Sequence, residues 1–191
     1  MIAGHFGLAA AVKARAPATP LWALMLATQW LDVVFAPLFA AGIEGLTPLP
    51  GAKPGAYGGA VIHANFTHSL VGALALSAAF GALLALRYGK ASGGVLAGVA
   101  FSHWLLDVPM HFADMSILPG ASGTLGFGLW ASPVASAALE LALVLVGGAM
   151  YWRAAASLAP ADAKTRRRAN LCGALVLGAC LVTLGLNLLG L

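Results

Sequence analysis

Charge is the scarcest ingredient of this chain. Only 8% of its 191 residues are Asp, Glu, Lys or Arg, whereas ordinary soluble domains carry about 25%. With 61% hydrophobic residues and a mean hydropathy of +0.91, the polar surface for a water-soluble shell is missing. That excludes a soluble globular domain, a disordered chain, a coiled coil and a nucleic-acid binder. Cysteine is nearly absent too. Cys172 and Cys180 lie in one apolar segment, and a helix separates them by about 12 Å, too far for a bridge. Neither a disulfide framework nor a thiolate metal site is expected. What remains is a single-domain polytopic membrane protein.

Five stretches are long and apolar enough to span: 20–42, 62–87, 92–112, 133–152 and 171–191. Each supplies the roughly 20 residues that a hydrocarbon core of about 30 Å requires. The run MIAGHFGLAAAV at 1–12 is apolar but too short. Lys13 and Arg15 follow it instead of preceding it, unlike a signal peptide. It reads as a half-helix entering from the Lys13 side, or as an interfacial helix. The expected fold is all-α: a membrane helical bundle with five spanning helices plus an N-terminal half-helix. Nine basic residues (Lys13, Arg15, Arg87, Lys90, Arg153, Lys164, Arg166, Arg167, Arg168) fall on one side of these spans and Lys53 on the other. By the positive-inside rule the 43–61 and 113–132 loops and the C-terminus face outward from a bacterial-type inner membrane. Gly94 and Gly98 form a GxxxG pair, and Ala73, Ser77 and Gly81 repeat small residues at helical spacing; both patterns suit close helix packing. Trp22, Trp30, Trp104, Trp130 and Trp152 read as belt or packing residues.

Ionisable groups inside a bilayer cost about 2.5–3.5 kcal/mol each on insertion scales. This chain nevertheless places Asp32 mid-way along the first stretch, His68 in the second, His103, Asp107 and His111 in the third with Asp114 just beyond, Glu140 in the fourth and Asn187 in the fifth. All map to the middle or outward half, which predicts one outward-facing polar cavity. His103, Asp107 and His111 stand at i, i+4 and i+8 and share a helix face, and Asp114 joins them if the helix continues. An HxxxD pair on a helix places an imidazole and a carboxylate one turn apart, close enough for one metal ion. Pro109 removes a backbone donor and predicts a kink beside the pair. His5, about 12 Å along its helix from Lys13, would sit near mid-bilayer and join Asp32. A lone intramembrane histidine is ordinarily a packing residue, and His63 is read that way; the shared depth of His5, Asp32, His68, His103 and Asp107 favours a metal site instead.

The pieces MIAGHFGLAAAVKA, ATQWLD, THSL, SHWLLDVPMHFAD, GLW and LELAL together resemble the YdjM-like inner-membrane proteins, which are labelled membrane-bound metal-dependent hydrolases. The resemblance covers residues 1–145 and is densest over 100–115. It implies that His5, Asp32, His68, His103 and Asp107 fall on the family's polar positions, with His111 and Asp114 in an extended HxxD element. The chain departs from the pattern where HANFTH replaces HRGxTH and HFAD replaces HRPD, so those cations are absent. The order His, Asp, His, HxxxD, His is also similar to the ligand order of zinc-dependent phospholipase C enzymes.

These readings lead to a membrane-embedded hydrolase holding one or two divalent ions, zinc foremost. His5, Asp32, His68, His103 and Asp107 are the expected ligands. His111 or Asp114 would act as general acid or base, and Glu140 would support a ligand from behind. The expected partner is membrane lipid, with a lipid-linked phosphoester as substrate. Two other readings stand beside it: a proton or metal-ion transport or binding protein using the same groups, and a haem protein with His68 and His103 as axial ligands.

Overall fold

The computed structural model describes residues 1–52, 58–158 and 163–189; Lys53 and the side chain of Asn187 lie outside the described residues. The chain is mostly helical. In order come α1 (Ile2–Arg15), α2 (Leu21–Thr28), α3 (Trp30–Ala40), β1 (Gly45–Pro48), β2 (Ala60–His63), α4 (Leu70–Met110), a short 3-10 turn (Leu129–Ala131), α5 (Pro133–Leu158) and α6 (Ala163–Leu189). By length and apolar character α4, α5 and α6 can each cross a membrane, and the α2–α3 pair makes a fourth if it is one bent span.

This differs from five separate spanning helices in two places. The first stretch breaks at Gln29, and its halves meet at 50°. Stretches 62–87 and 92–112 belong to one 41-residue element, interrupted only at Gly89 (φ 82, ψ 161). That backbone conformation is open to glycine and strained for any other residue, and there the chain doubles back. The two arms touch: a Cβ on Gly81 would collide with the Gly93 carbonyl and with Ala97. Gly94 and Gly98, the GxxxG pair, face outward with nothing near them. Close approach falls instead to Gly81, beside buried Ala73 and Ser77, and to Gly7 and Gly147.

The second stretch starts later than its hydropathy suggests. Residues 60–63 form an antiparallel hairpin with 45–48, Gly45 opposite His63 and Pro48 opposite Ala60, so the fold is not purely α. Helix begins only at Leu70, where the Ser69 hydroxyl accepts from Gly72 N at 3.0 Å as its N-cap. The next free amides of that helix end, Leu70 N and Val71 N, donate to the carbonyls of Ser116 and Ile117. The 113–132 loop is therefore laced to the start of α4. It is laced to the end of α4 as well, through Phe127 N to Val108 O and Gly128 N to His111 O. α4 stops at Met110, one residue after Pro109, with His111 extended (ψ 151). The condition for Asp114 to share that helix face, continuation of the helix, is not met: Pro109 leaves the Leu105 carbonyl without its i+4 donor, and the chain turns extended at His111.

α1 is buried along most of its length, with Ala3, Gly4, His5, Gly7, Ala9 and Ala10 enclosed. It runs three residues past the expected half-helix, through Lys13 to Arg15. Gly7 lies on the Leu143 and Val144 backbone of α5, and a Cβ on Gly147 would strike the Gly7 carbonyl. Glu140 accepts from Gly4 N at 2.9 Å, which caps the positive end of α1 from a neighbouring helix. At the other end Lys13 Nζ donates to the carbonyls of Pro17 and Thr19, and Thr19 Oγ1 donates to Ser92 Oγ at 3.2 Å. The α1–α2 turn and the Gly89 turn thus sit together. Both cysteines are free: Cys180 packs with Ala3, Val144 and Leu184, while Cys172 is exposed.

Gly147→Ala is expected to force α1 from α5 and to lower stability by about 1–3 kcal/mol, the usual range for overpacking. Denaturant unfolding in detergent measures it, with Gly94→Ala as the comparison that leaves stability intact or raised.

Candidate metal centre

Four of the five histidines converge on one point, each carried by a different local device. His5 comes from the buried face of α1. His68 lies in the turn before α4 and not on a helix, its carbonyl held by Trp104 Nε1 at 2.8 Å. His103 projects from the returning arm of α4, and His111 from the residue that ends it. Asp107 stands one helical turn from both His103 and His111. Asp32 sits in the first turn of α3, immediately beyond the α2–α3 break. The fifth histidine, His63, is apart: it is exposed on β2 and bonds Thr47 Oγ1 at 2.9 Å across the hairpin.

The distances define a compact cage. His68 Nε2 lies 3.3 Å from His103 Nε2 and 3.4 Å from Asp32 Oδ1. His103 Nε2 lies 3.6 Å from Asp32 Oδ1 and 2.9 Å from Asp107 Oδ2. His68 Nε2 to Asp107 Oδ2 is 3.9 Å. Zinc–nitrogen and zinc–oxygen bonds of about 2.0–2.1 Å in a tetrahedron set ligand atoms about 3.4 Å apart, and these five separations straddle that value. His5 Nε2 meets the other oxygen of the same carboxylate, Asp107 Oδ1, at 3.2 Å, so His5 pairs with Asp107 and not with Asp32 as expected. Two sets satisfy the geometry of a metal site: Asp32, His68 and His103, and His5, His103 and Asp107. This buried His/Asp cluster can hold a metal ion.

Hydrogen bonding behind the rings determines which nitrogen faces inward. His103 Nδ1 is 2.6 Å from the Thr28 carbonyl. A carbonyl only accepts, so Nδ1 carries the proton and a neutral ring turns the Nε2 lone pair into the cage. The Thr28 carbonyl is available because it lies at the α2–α3 break. His111 Nδ1 donates in the same way to Asp114 Oδ1 at 2.9 Å, and Asp114 Oδ2 accepts from Ile62 N. His111 Nε2 then points at Asp107 Oδ2 from 3.8 Å. His5 is stacked on His103 with ring centroids 4.1 Å apart, and its outer nitrogen has no hydrogen-bond partner among the described residues. His103 and His111 therefore turn an Nε2 lone pair toward the cage when neutral. Neutral imidazole nitrogens facing one another and a carboxylate, with no hydrogen between them, repel unless a positive charge, proton or metal, lies among them. Two carboxylates and neutral imidazoles match the charge of a divalent cation.

The mouth is elsewhere than expected. His111 and Asp114 side chains are only 4% and 5% exposed, under the Trp130 ring, whose centroid is 4.2 Å from that of His111. Asp32 is the open member at 47%. The break in the first stretch exposes it, whereas the 113–132 loop seals the side that a free helix end would have left open. Glu140 holds α1 through Gly4, and so stands behind His5 and outside the cage.

Sequence reading passed over Glu44 and Thr28, and gave Thr67 no role. Glu44 had a signal: it is one of six acidic residues and follows an apolar stretch in a loop otherwise free of acid, yet it is buried. No family model matches the chain, and no curated protein or solved structure is similar to it.

Divalent ions are expected to raise the thermal unfolding temperature in detergent. An ion at about 100 times its dissociation constant adds about 2.7 kcal/mol. Excess chelator should reverse the gain, and His103→Ala should abolish it.

Proposed function

We propose that the protein is a membrane-embedded metal-dependent hydrolase using zinc at the His/Asp cage. The carrying observation is that three ligand atoms, from Asp32, His68 and His103, stand 3.3–3.6 Å from one another, the spacing of tetrahedral zinc ligands, with Asp107 beside His103 and His68. The mixed nitrogen and oxygen donors suit zinc better than calcium or magnesium. When bound, such an ion lowers the pKa of a coordinated water toward 7 and polarises the scissile group. His111, with Asp114 holding its Nδ1–H, is built as a general base: Nε2 takes a proton from inside the cage, and the carboxylate stabilises the imidazolium that results. Glu140 keeps His5 in place through the amide end of α1. A haem reading fits the geometry poorly. His68 Nε2 and His103 Nε2 are 3.3 Å apart with the Asp32 and Asp107 carboxylates beside them, a donor set that would suit a single hard or borderline ion better than a haem iron.

The membrane reading extends naturally to five crossings, with α2–α3 as one bent span and the two arms of α4 as two. His103 is then about 21 Å along its arm from Gly89, which puts the cage toward the outer side if the basic turn at Arg87 and Lys90 is cytoplasmic. Asp32 opens on the flank of α3, beside exposed Val33, where a lipid-linked phosphoester can present its headgroup from the outer leaflet. The resemblance to the YdjM-like proteins supports the same reading, and an inner membrane of bacterial type is the proposed location.

Elemental analysis of gently purified protein should find zinc at one or two equivalents, lost in a His103→Ala/Asp107→Ala variant. In a screen of phosphoester and lipid substrates, His111→Ala should lower kcat by about 10²–10⁴-fold, the usual contribution of a general base, with zinc retained. Protein free of divalent metal would sink the proposal. Proton or metal flux in liposomes without ester turnover would transfer the cage to the transport reading, which the same inward lone pairs favour.

A further inference from the structure

Behind His68 lies a second set of bonds that the catalytic reading does not use. Thr67 Oγ1 donates to Glu44 Oε2 at 2.8 Å and lies 2.9 Å from His68 Nδ1. Glu44 Oε1 accepts from Phe66 N and Thr67 N, each at 2.8 Å. Glu44, Thr67 and His68 are all at least nineteen-twentieths buried. A threonine hydroxyl has one proton. Here a carboxylate takes it, so the oxygen has only lone pairs left for His68, and His68 Nδ1 must be the donor. The proton on Nδ1 leaves Nε2 bare, directed at His103, Asp32 and Asp107.

We infer that Glu44 and Thr67 are positioning residues that lock His68 in the tautomer able to bind a metal ion. This rests on the reading that the cage binds metal. The direction of the chain of donors is set by the carboxylate. In Glu44→Gln the amide NH₂ can donate to Thr67 Oγ1, and the hydroxyl proton is released toward His68 Nδ1. His68 then carries its proton on Nε2, where it blocks coordination. A glutamate in a loop of the first half of the chain thus decides the chemistry of a ring it does not touch. The same carboxylate, through two amides, fixes the turn on which that ring is mounted.

The test uses the full chain in detergent with Zn²⁺ alone as probe, its affinity read by competition with a chromophoric chelator. Thr67→Val keeps the shape and both backbone bonds to Glu44 but removes the hydroxyl; it should weaken zinc binding by about 10–100-fold, as loss of a bond behind a ligating histidine does. Glu44→Gln should weaken it by at least as much, and Thr67→Ser should restore wild-type affinity. Co²⁺-loaded protein supplies a readout that a merely structural role would not move. In proton NMR the exchangeable Nδ1–H signals of His68 and His103 are both shifted by the ion. Thr67→Val should lose the His68 signal to exchange with water and keep that of His103. If Glu44→Gln fails to fold, Thr67→Val alone decides. Wild-type protein that binds zinc, with Thr67→Val binding equally tightly and both signals intact, overturns this inference and leaves the metal reading standing. Wild-type protein that binds no zinc overturns both.

Discussion

The constraint on which the molecule turns is electrostatic. Four imidazoles and two carboxylates crowd into one space, with ring nitrogens and carboxylate oxygens 2.9 to 3.9 Å apart where Asp32, His68, His103 and Asp107 meet. In a medium of low polarity such a set is stable only around positive charge. The surrounding structure does not relieve the crowding by turning the rings away. It enforces it, with a backbone carbonyl on His103, a carboxylate on His111 and a carboxylate-polarised hydroxyl on His68, each holding the proton on the outer nitrogen.

Irregularities of the fold serve this arrangement. The break between α2 and α3 gives the Thr28 carbonyl to His103 and brings Asp32 to the open side of the cage. The doubled α4 returns His103 and Asp107 to the level of the turn that carries His68. The end of α4 just past Pro109 frees His111 from the helix and lets it meet Asp114 and Trp130. α1, too short to cross a bilayer of usual thickness at about 21 Å, is stabilised by packing glycine against α5 and by the Glu140 carboxylate at its amide end. Every described acidic side chain, Asp32, Glu44, Asp107, Asp114 and Glu140, is engaged either in the cage or with an element that carries one of its histidines. In a chain so poor in charge, acid has been kept almost entirely for this purpose.

Glycine patterns were a weaker guide than ionisable residues. GxxxG at Gly94 and Gly98 satisfies the rule for close packing and faces outward, whereas Gly7 and Gly147, unremarkable in sequence, bring two helices into backbone contact. A spacing motif says which residues share a helix face and not which face finds a neighbour. A buried carboxylate or imidazole is different, because its desolvation is too costly to leave without a partner.

From sequence alone came the apolar helical character, the span-capable segments at 133–152 and 171–191, and the residues that had to meet: local hydropathy and the expense of buried charge require no knowledge of the fold. The i, i+4 spacing also tied His103 to Asp107. Only the tertiary structure decided that the second stretch begins with a hairpin and a turn, that α4 folds back at Gly89, that the open side is at Asp32 and not at His111, and that Glu44 lies behind His68. Those depend on which backbone groups find partners across 20 or more residues, as Glu44 does with Phe66 and Thr67, and no local pattern encodes a partner that distant.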